Sequence, residues 1–172
     1  CLLRRQRQMC IRDRSYGMAP KNILINCLEF IPLKHRNQQV DVIEGVAFIN
    51  DSKATNVDAT RHALKFYKNV HLIVGGQAKE NNFDQLQEGM ENVSRIYSMG
   101  EAASLIARSF QGHKLEQFMT LDKALEKAIS YSKEGDTILF SPACASFDQY
   151  LNFEERGDHF ISLVEHHRKN LI

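Results

Sequence analysis

From residue 70 to residue 140, short apolar runs alternate with segments whose apolar residues recur at helical spacing, and few folds accommodate that alternation. "VHLIV" (70–74), "VSRIYSM" (93–99), "LEQFM" (115–119) and "DTILF" (136–140) are strand-sized and carry β-branched or aromatic residues. Just before them, 56–67 places Val57, Thr60, Ala63, Leu64 and Tyr67 on one helical face. Segment 101–110 does the same with Ala102, Leu105, Ile106 and Ala107 or Phe110. In 121–131, Leu121, Ala124, Leu125, Ala128 and Ile129 recur at i, i+3, i+4, i+7 and i+8, with Thr120 as the expected N-cap and Asp122 in the first turn. A short helix is expected near 83–90 and a closing helix over 154–168. Alternating strands and helices require crossover connections and a sheet covered on both faces. The expected fold is therefore α/β and Rossmann-like, with a mostly parallel sheet and helices on both faces.

Upstream, "QQVDVIEGVAFIND" places Val40 and Val42, then Val46 and Phe48, on either side of Glu44-Gly45, which predicts a two-stranded hairpin. With 172 residues the chain has room for one domain with a full core. A net charge of +1 gives no bulk attraction to nucleic acid or to a membrane surface. No apolar run approaches the roughly 18 residues of a membrane span. The four cysteines show no C-x-x-C spacing, which favours reduced thiols in a cytoplasmic protein. Residues 1–14 carry Arg4, Arg5, Arg7, Arg12 and Arg14 against Asp13 alone, without an amphipathic period or a cleavage site. The head, 1–15, reads as non-native or disordered sequence and is set aside. "NILINCLEFIPLKHR" reads as the tail of a larger unit, so 16–36 is taken as a remnant and hinge and 37–172 as the domain proper.

Ligands of open α/β sheets bind outside the carboxyl ends of the strands. The loops there are "NDSKATN" after 46–49, "GGQAK" after 70–74, "MGE" after 93–98 and "SPACAS" after 136–140. They bring Lys53 and Lys79 as cations, and Ser52, Thr55 and Ser146 as short donors, beside helix N-termini. That set suits a small dianion such as a dicarboxylate or a phosphate. Taken singly, each feature has a plainer reading. Ser52 or Asn56 serves as a helix N-cap, Gly75-Gly76 as a tight turn, and Lys79 as a solvated lysine. Cys144 has no adjacent general base and reads as a small buried residue; Asp148, Glu154 and Glu155 read as surface carboxylates. Only the convergence of the loops favours a site. The chain has no G-x-x-x-x-G-K-[ST] phosphate loop, no G-x-G-x-x-G and no G-x-S-x-G. Its seven histidines form no chelating pair at i, i+4, so no metal site is expected.

"GVAFINDSKATNVDAT", "LIVGGQAKENNF" and "LFSPACASFDQYLNFEERGDHF" together resemble the C-terminal domain of the D-glutamate-adding enzymes of the Mur ligase family. "FIPLKHR" (30–36) is similar to the family's F-x-G-L-x-H-R segment, where the central ATPase domain hands over to this one. The resemblance runs from about Ile23 to Phe160, and D-S-K-A-T-N separates it from sister Mur ligases and folylpolyglutamate synthase, which resemble D-Y-A-[HN]-x-P there.

The resemblance implies an ATP-dependent acid–amino-acid ligase of bacterial peptidoglycan synthesis. Such an enzyme joins D-glutamate to UDP-N-acetylmuramoyl-L-alanine through an acyl phosphate, with ATP and Mg2+. It implies that Lys53, Thr55 and Lys79 engage the D-glutamate carboxylates, with Ser146 and Phe153 completing the pocket, Phe153 through its backbone. It implies that Arg36, Asp51 and Asn56 lie toward the nucleotide. No catalytic residue is carried over, because the UDP-binding and ATPase domains do not match anything in the chain. The fragment is therefore expected to be monomeric, to bind neither nucleic acid nor membrane, and to ligate nothing alone. Two departures stand out: "GGQAK" lacks the aspartate usual near the lysine, and Pro32 replaces the hinge glycine, which stiffens it. The competing readings are a free-standing small-anion or amino-acid-binding module without catalysis, and an unrelated Rossmann-like nucleotide binder.

Overall fold

The computed structural model describes Ser15, Gly17, residues 33–79 and residues 81–171. The expected head, most of the 16–36 remnant and the Pro32 hinge position lie outside the described residues. The chain divides into two units, Cys1–Lys34 and His35–Ile172, and the second contains the whole sheet.

Strand β1 (Gln38–Ile43) turns back into β2 (Val46–Asn50) as an antiparallel hairpin. Both turn residues, Glu44 and Gly45, have positive φ (49° and 76°), the geometry that matches strand twist in a two-residue turn. Helix α1 (Val57–Leu64), β3 (Val70–Gly75), β4 (Val93–Met99), α2 (Ala103–Ser109), β5 (Leu115–Phe118), α3 (Leu121–Tyr131), β6 (Thr137–Phe140) and α4 (Phe153–Lys169) follow in order. The sheet order is β1-β2-β6-β3-β4-β5, with every pair parallel except β1 with β2. β6, late in the chain, thus lies between β2 and β3.

Neighbouring strand residues point to opposite faces, and each face has its own core. Ile49, Leu72, Val74, Ile96 and Leu139 pack with Val57 and Leu64 of α1 and Ile106 of α2. Phe48, Ile73, Tyr97, Ile138 and Phe140 pack with Leu121 and Leu125 of α3 and Phe160 and Val164 of α4. The Phe140 and Phe160 rings stack with centroids 5.0 Å apart. Burial of a side chain of this size contributes about 1.5–3 kcal/mol.

Three local expectations need correction. The segment near 83–90 is two 3-10 turns, Asp84–Gln87 and Met90–Asn92, rather than one helix. Phe83, Leu86 and Met90 are buried as their spacing predicts, but Gly89, at φ 113°, interrupts the backbone between them. Helix α1 stops at Leu64, short of Tyr67, which still packs against the core from outside the helix. Thr120 has N-cap backbone geometry, yet its hydroxyl makes no capping bond.

Candidate functional site

The four loops that leave the carboxyl ends of β2, β3, β4 and β6 meet at one rim and are tied by backbone bonds. Asp51 N donates to Phe140 O (2.8 Å), Gly75 N to Pro142 O (2.8 Å) and Gly76 N to Met99 O (3.1 Å). Gln77 and Ala145 exchange an antiparallel bridge. Gly75, at φ 136°, has a conformational reason to be glycine: a Cβ there would overlap the Met99 carbonyl. The convergence expected from the loop sequences is therefore physical.

Lys53 and Thr55 are half-buried, Ser146 is buried and Lys79 is exposed. The Lys53 ammonium lies 3.7 Å from the centroid of the Phe153 ring, a cation–π contact, and has no carboxylate partner among the described residues. Lys79 likewise has no side-chain partner among the described residues. Phe153 opens α4, and its carbonyl accepts the Ser52 hydroxyl at 2.8 Å. Ser52 is therefore not a helix N-cap. That role falls to Asn56, whose side chain accepts from Ala59 N at 2.9 Å and so is already in use at the start of α1.

Asp51, expected to look toward a nucleotide, is buried and engaged by its own chain. Its carboxylate accepts the Asn37 N–H at 3.0 Å and the Ser141 hydroxyl at 2.9 Å. Ser141 Oγ in turn lies 3.0 Å from Thr60 Oγ1. Arg36 is half-buried and precedes Asn37 in the chain. Burial pushes the Cys144 thiol up to about 12, so it stays protonated at neutral pH and is no nucleophile. Asp148 accepts from Glu101 N, and Glu155 from Leu151 N, which ties these carboxylates to loop and cap geometry.

Two contributors were not singled out in the sequence. Arg156, in the first turn of α4, is fully buried and bonds both the Ser52 and the Cys144–Ala145 backbones. His35 is 3% exposed; its ring lies 3.1 Å from Asn50 Nδ2, and Asn50 also donates to Gly157 O at 2.9 Å. A Cβ on Gly157 would overlap the His35 ring. A glycine inside a helix is the one sequence signal that marked this packing, since it costs about 1 kcal/mol against alanine.

Among the described residues no group of three or more His, Cys, Asp or Glu side chains is placed to hold a metal ion. No helix among them is long and apolar enough to cross a membrane.

Comparisons with known proteins bear on the family and the fold. The family model described as "Mur ligase, glutamate ligase domain" matches residues 35–144. The UDP-N-acetylmuramoylalanine--D-glutamate ligase of Dinoroseobacter shibae is 41% identical over 151 residues, covering 88% of this chain and 32% of that protein. The enzyme of the same name from Bacillus cereus is 42% identical over 152 residues, covering 86% of this chain and 34% of that protein. The chain thus spans about a third of the length of these curated relatives. Among solved structures, the UDP-N-acetylmuramate-alanine ligase MurC of Thermotoga maritima superposes with a TM-score of 0.66 at 17% identity, covering 93% of this chain and 36% of its own. FolC of E. coli, in complex with ADP, gives 0.59 at 19% identity, covering 91% and 38%. At these identities the two structures bear on the fold alone.

Proposed function

The chain belongs to the Mur ligase family as its glutamate ligase domain, and from that premise we propose that it holds the incoming D-glutamate of a D-glutamate-adding ligase. The observation that carries this reading is the Lys53 ammonium. It is held at the rim on the Phe153 ring without a carboxylate of the described chain to neutralise it. A dicarboxylate supplies the missing charge. Thr55 and Ser146 add short donors, and Lys79, exposed on the glycine loop, adds a second cation that can close over the ligand.

In the intact ligase, ATP converts the carboxylate of UDP-N-acetylmuramoyl-L-alanine to an acyl phosphate. The D-glutamate nitrogen forms a bond to the acyl carbon as the phosphate leaves, and the amine gives up a proton. The part assigned to this domain is to fix the amine by its carboxylates, a proximity contribution rather than proton transfer. Arg36, Asp51 and Asn56 are proposed to edge the nucleotide, Asp51 and Asn56 by shaping the backbone, because their side chains already serve the fold. Mg2+ is proposed to accompany ATP in the ATP-binding domain. Residues 16–36 are proposed as the end of that domain and the hinge, 37–172 as the glutamate domain, and the bacterial cytoplasm as the setting. A free-standing binding module is the weaker reading, because the relatives named above are ligases.

The test is a titration of the 15N-labelled chain with D- and L-glutamate. D-glutamate is expected to move the Lys53, Thr55 and Ser146 amides, and Lys53→Ala to lower affinity about tenfold or more, the loss of one charged contact. An equal response to L-glutamate overturns the reading.

A further inference from the structure

We propose that Arg156 is the positioning residue of this pocket, setting Lys53 and Ser146 through the carbonyl groups that precede each of them. The proposal rests on the D-glutamate reading above.

The guanidinium is a planar fork with five N–H donors in fixed geometry. Nη2 donates to Ser52 O at 3.0 Å and to Cys144 O at 3.1 Å. Nη1 donates to Ala145 O at 3.0 Å, and Nε to Ser52 Oγ at 3.1 Å. The Ser52 carbonyl shares its peptide group with the Lys53 N–H, and the Ala145 carbonyl shares its peptide group with the Ser146 N–H. A cation on the carbonyl oxygen orients that peptide plane and polarises the N–H at its other end. Ser52 Oγ passes the constraint on to Phe153 O at 2.8 Å. One rigid group thus registers Lys53, Ser146 and Phe153, which come from the loops after β2 and β6 and from the start of α4. A Cβ at Gly76 would lie 3.0 Å from Nη1, so the glycine loop that continues to Lys79 also closes directly on the guanidinium.

A structural staple alone has little need of a charge here. Arg156 is fully buried and has no carboxylate in ion-pair contact among the described residues. Its hydrogen-bond partners are carbonyls and a hydroxyl, with the Phe140 ring at 5.9 Å and the Asp148 carboxylate acting on it from beyond ion-pair distance. Burial lowers its pKa to about 10, so it remains cationic at neutral pH. Four acceptors for its five N–H donors compensate its burial within the chain, and an anionic ligand at the rim adds to the distant Asp148 charge.

The experiment compares the chain with Arg156→Lys, which keeps the charge and loses the fork. Without ligand, the Lys53 and Ser146 amides of the variant are expected to shift and to exchange about tenfold faster, while Leu72 and Leu139 amides stay unchanged. Unmoved Lys53 and Ser146 amides overturn the proposal. With D-glutamate, the variant is expected to bind about tenfold more weakly. Full affinity in the variant overturns the role of Arg156 and leaves the pocket standing, whereas no response in the unmodified chain overturns both. Should the variant not fold, the Arg156 Nε–H resonance of the unmodified chain decides. It is expected to move on D-glutamate addition, and a fixed Nε–H beside a moving Lys53 amide overturns the proposal.

Discussion

The backbone N–H of Lys53 donates to the carbonyl of His35 at 3.0 Å. The segment that leads into β1 is thereby one hydrogen bond from the lysine at the rim. His35 adopts φ 59°, a left-handed conformation uncommon for a non-glycine residue, and its N–H is held by Gln38 Oε1 at 2.9 Å. Its ring is seated where Gly157 leaves space on α4, edge-on to Phe153 with centroids 6.3 Å apart. Whatever displaces residues 35–37 therefore displaces Lys53.

Gly157→Ala tests that seat. In an exposed helix the change stabilises by up to about 1 kcal/mol. Here the new methyl overlaps the His35 ring, and the expected net loss is about 1–3 kcal/mol, the usual cost of overpacking. Urea unfolding measures it; a raised midpoint would show that the His35 seat yields freely.

Stability should fall on acidification near the ordinary imidazole range. His71 is buried at the start of β3, with Nδ1 2.8 Å from Tyr97 Oη and Nε2 3.2 Å from Asp136 Oδ2. Burial lowers its pKa below the ordinary value, with the Arg95 charge adding to the lowering and Asp136 opposing it. The unfolded chain then takes up a proton near pH 6.5 while the native chain does not. The stabilising contribution is complete above about pH 6.5 and is lost as pH falls toward the depressed native value. Thermal midpoints from pH 7.5 to 5 should drop, and the slope should flatten in His71→Gln. An identical slope in that variant assigns the effect elsewhere.

Cys144 should resist modification as long as the chain is folded. Its thiol is fully buried and protonated at neutral pH. Iodoacetamide at pH 8 followed by peptide mapping should leave it unlabelled, with labelling appearing in parallel with urea unfolding. Rapid labelling of the native chain would mean that the "SPACAS" loop opens on its own.

Much of this architecture was legible because it depends on local pattern. The hairpin at Glu44-Gly45 and the strands 93–99 and 136–140 follow from period and turn chemistry, and the rim loops follow from where those strands end. The helix expected near 83–90 failed because its apolar spacing is helical while Gly89 turns the backbone away. Arg156 was illegible for a different reason. In "NFEERGDHF" it is one charge among several, and only the docking of α4 against the Ser52 loop, 104 residues upstream, and the Cys144–Ala145 loop buries it. Asn56 was legible by type as an N-cap, whereas the Asp51 carboxylate, placed toward the nucleotide only by the resemblance, accepts the Asn37 N–H and the Ser141 hydroxyl.

The place of β6 has a consequence for synthesis. It joins the β1-β2 hairpin to the β3-β4-β5 portion of the sheet, and it is the last of the six strands to leave the ribosome. Until Thr137–Phe140 arrives, the edges of β2 and β3 that face it have no strand partner. Arg156 emerges later still. The rim is therefore completed late, and a chain stalled before β6 would present exposed strand edges to chaperones.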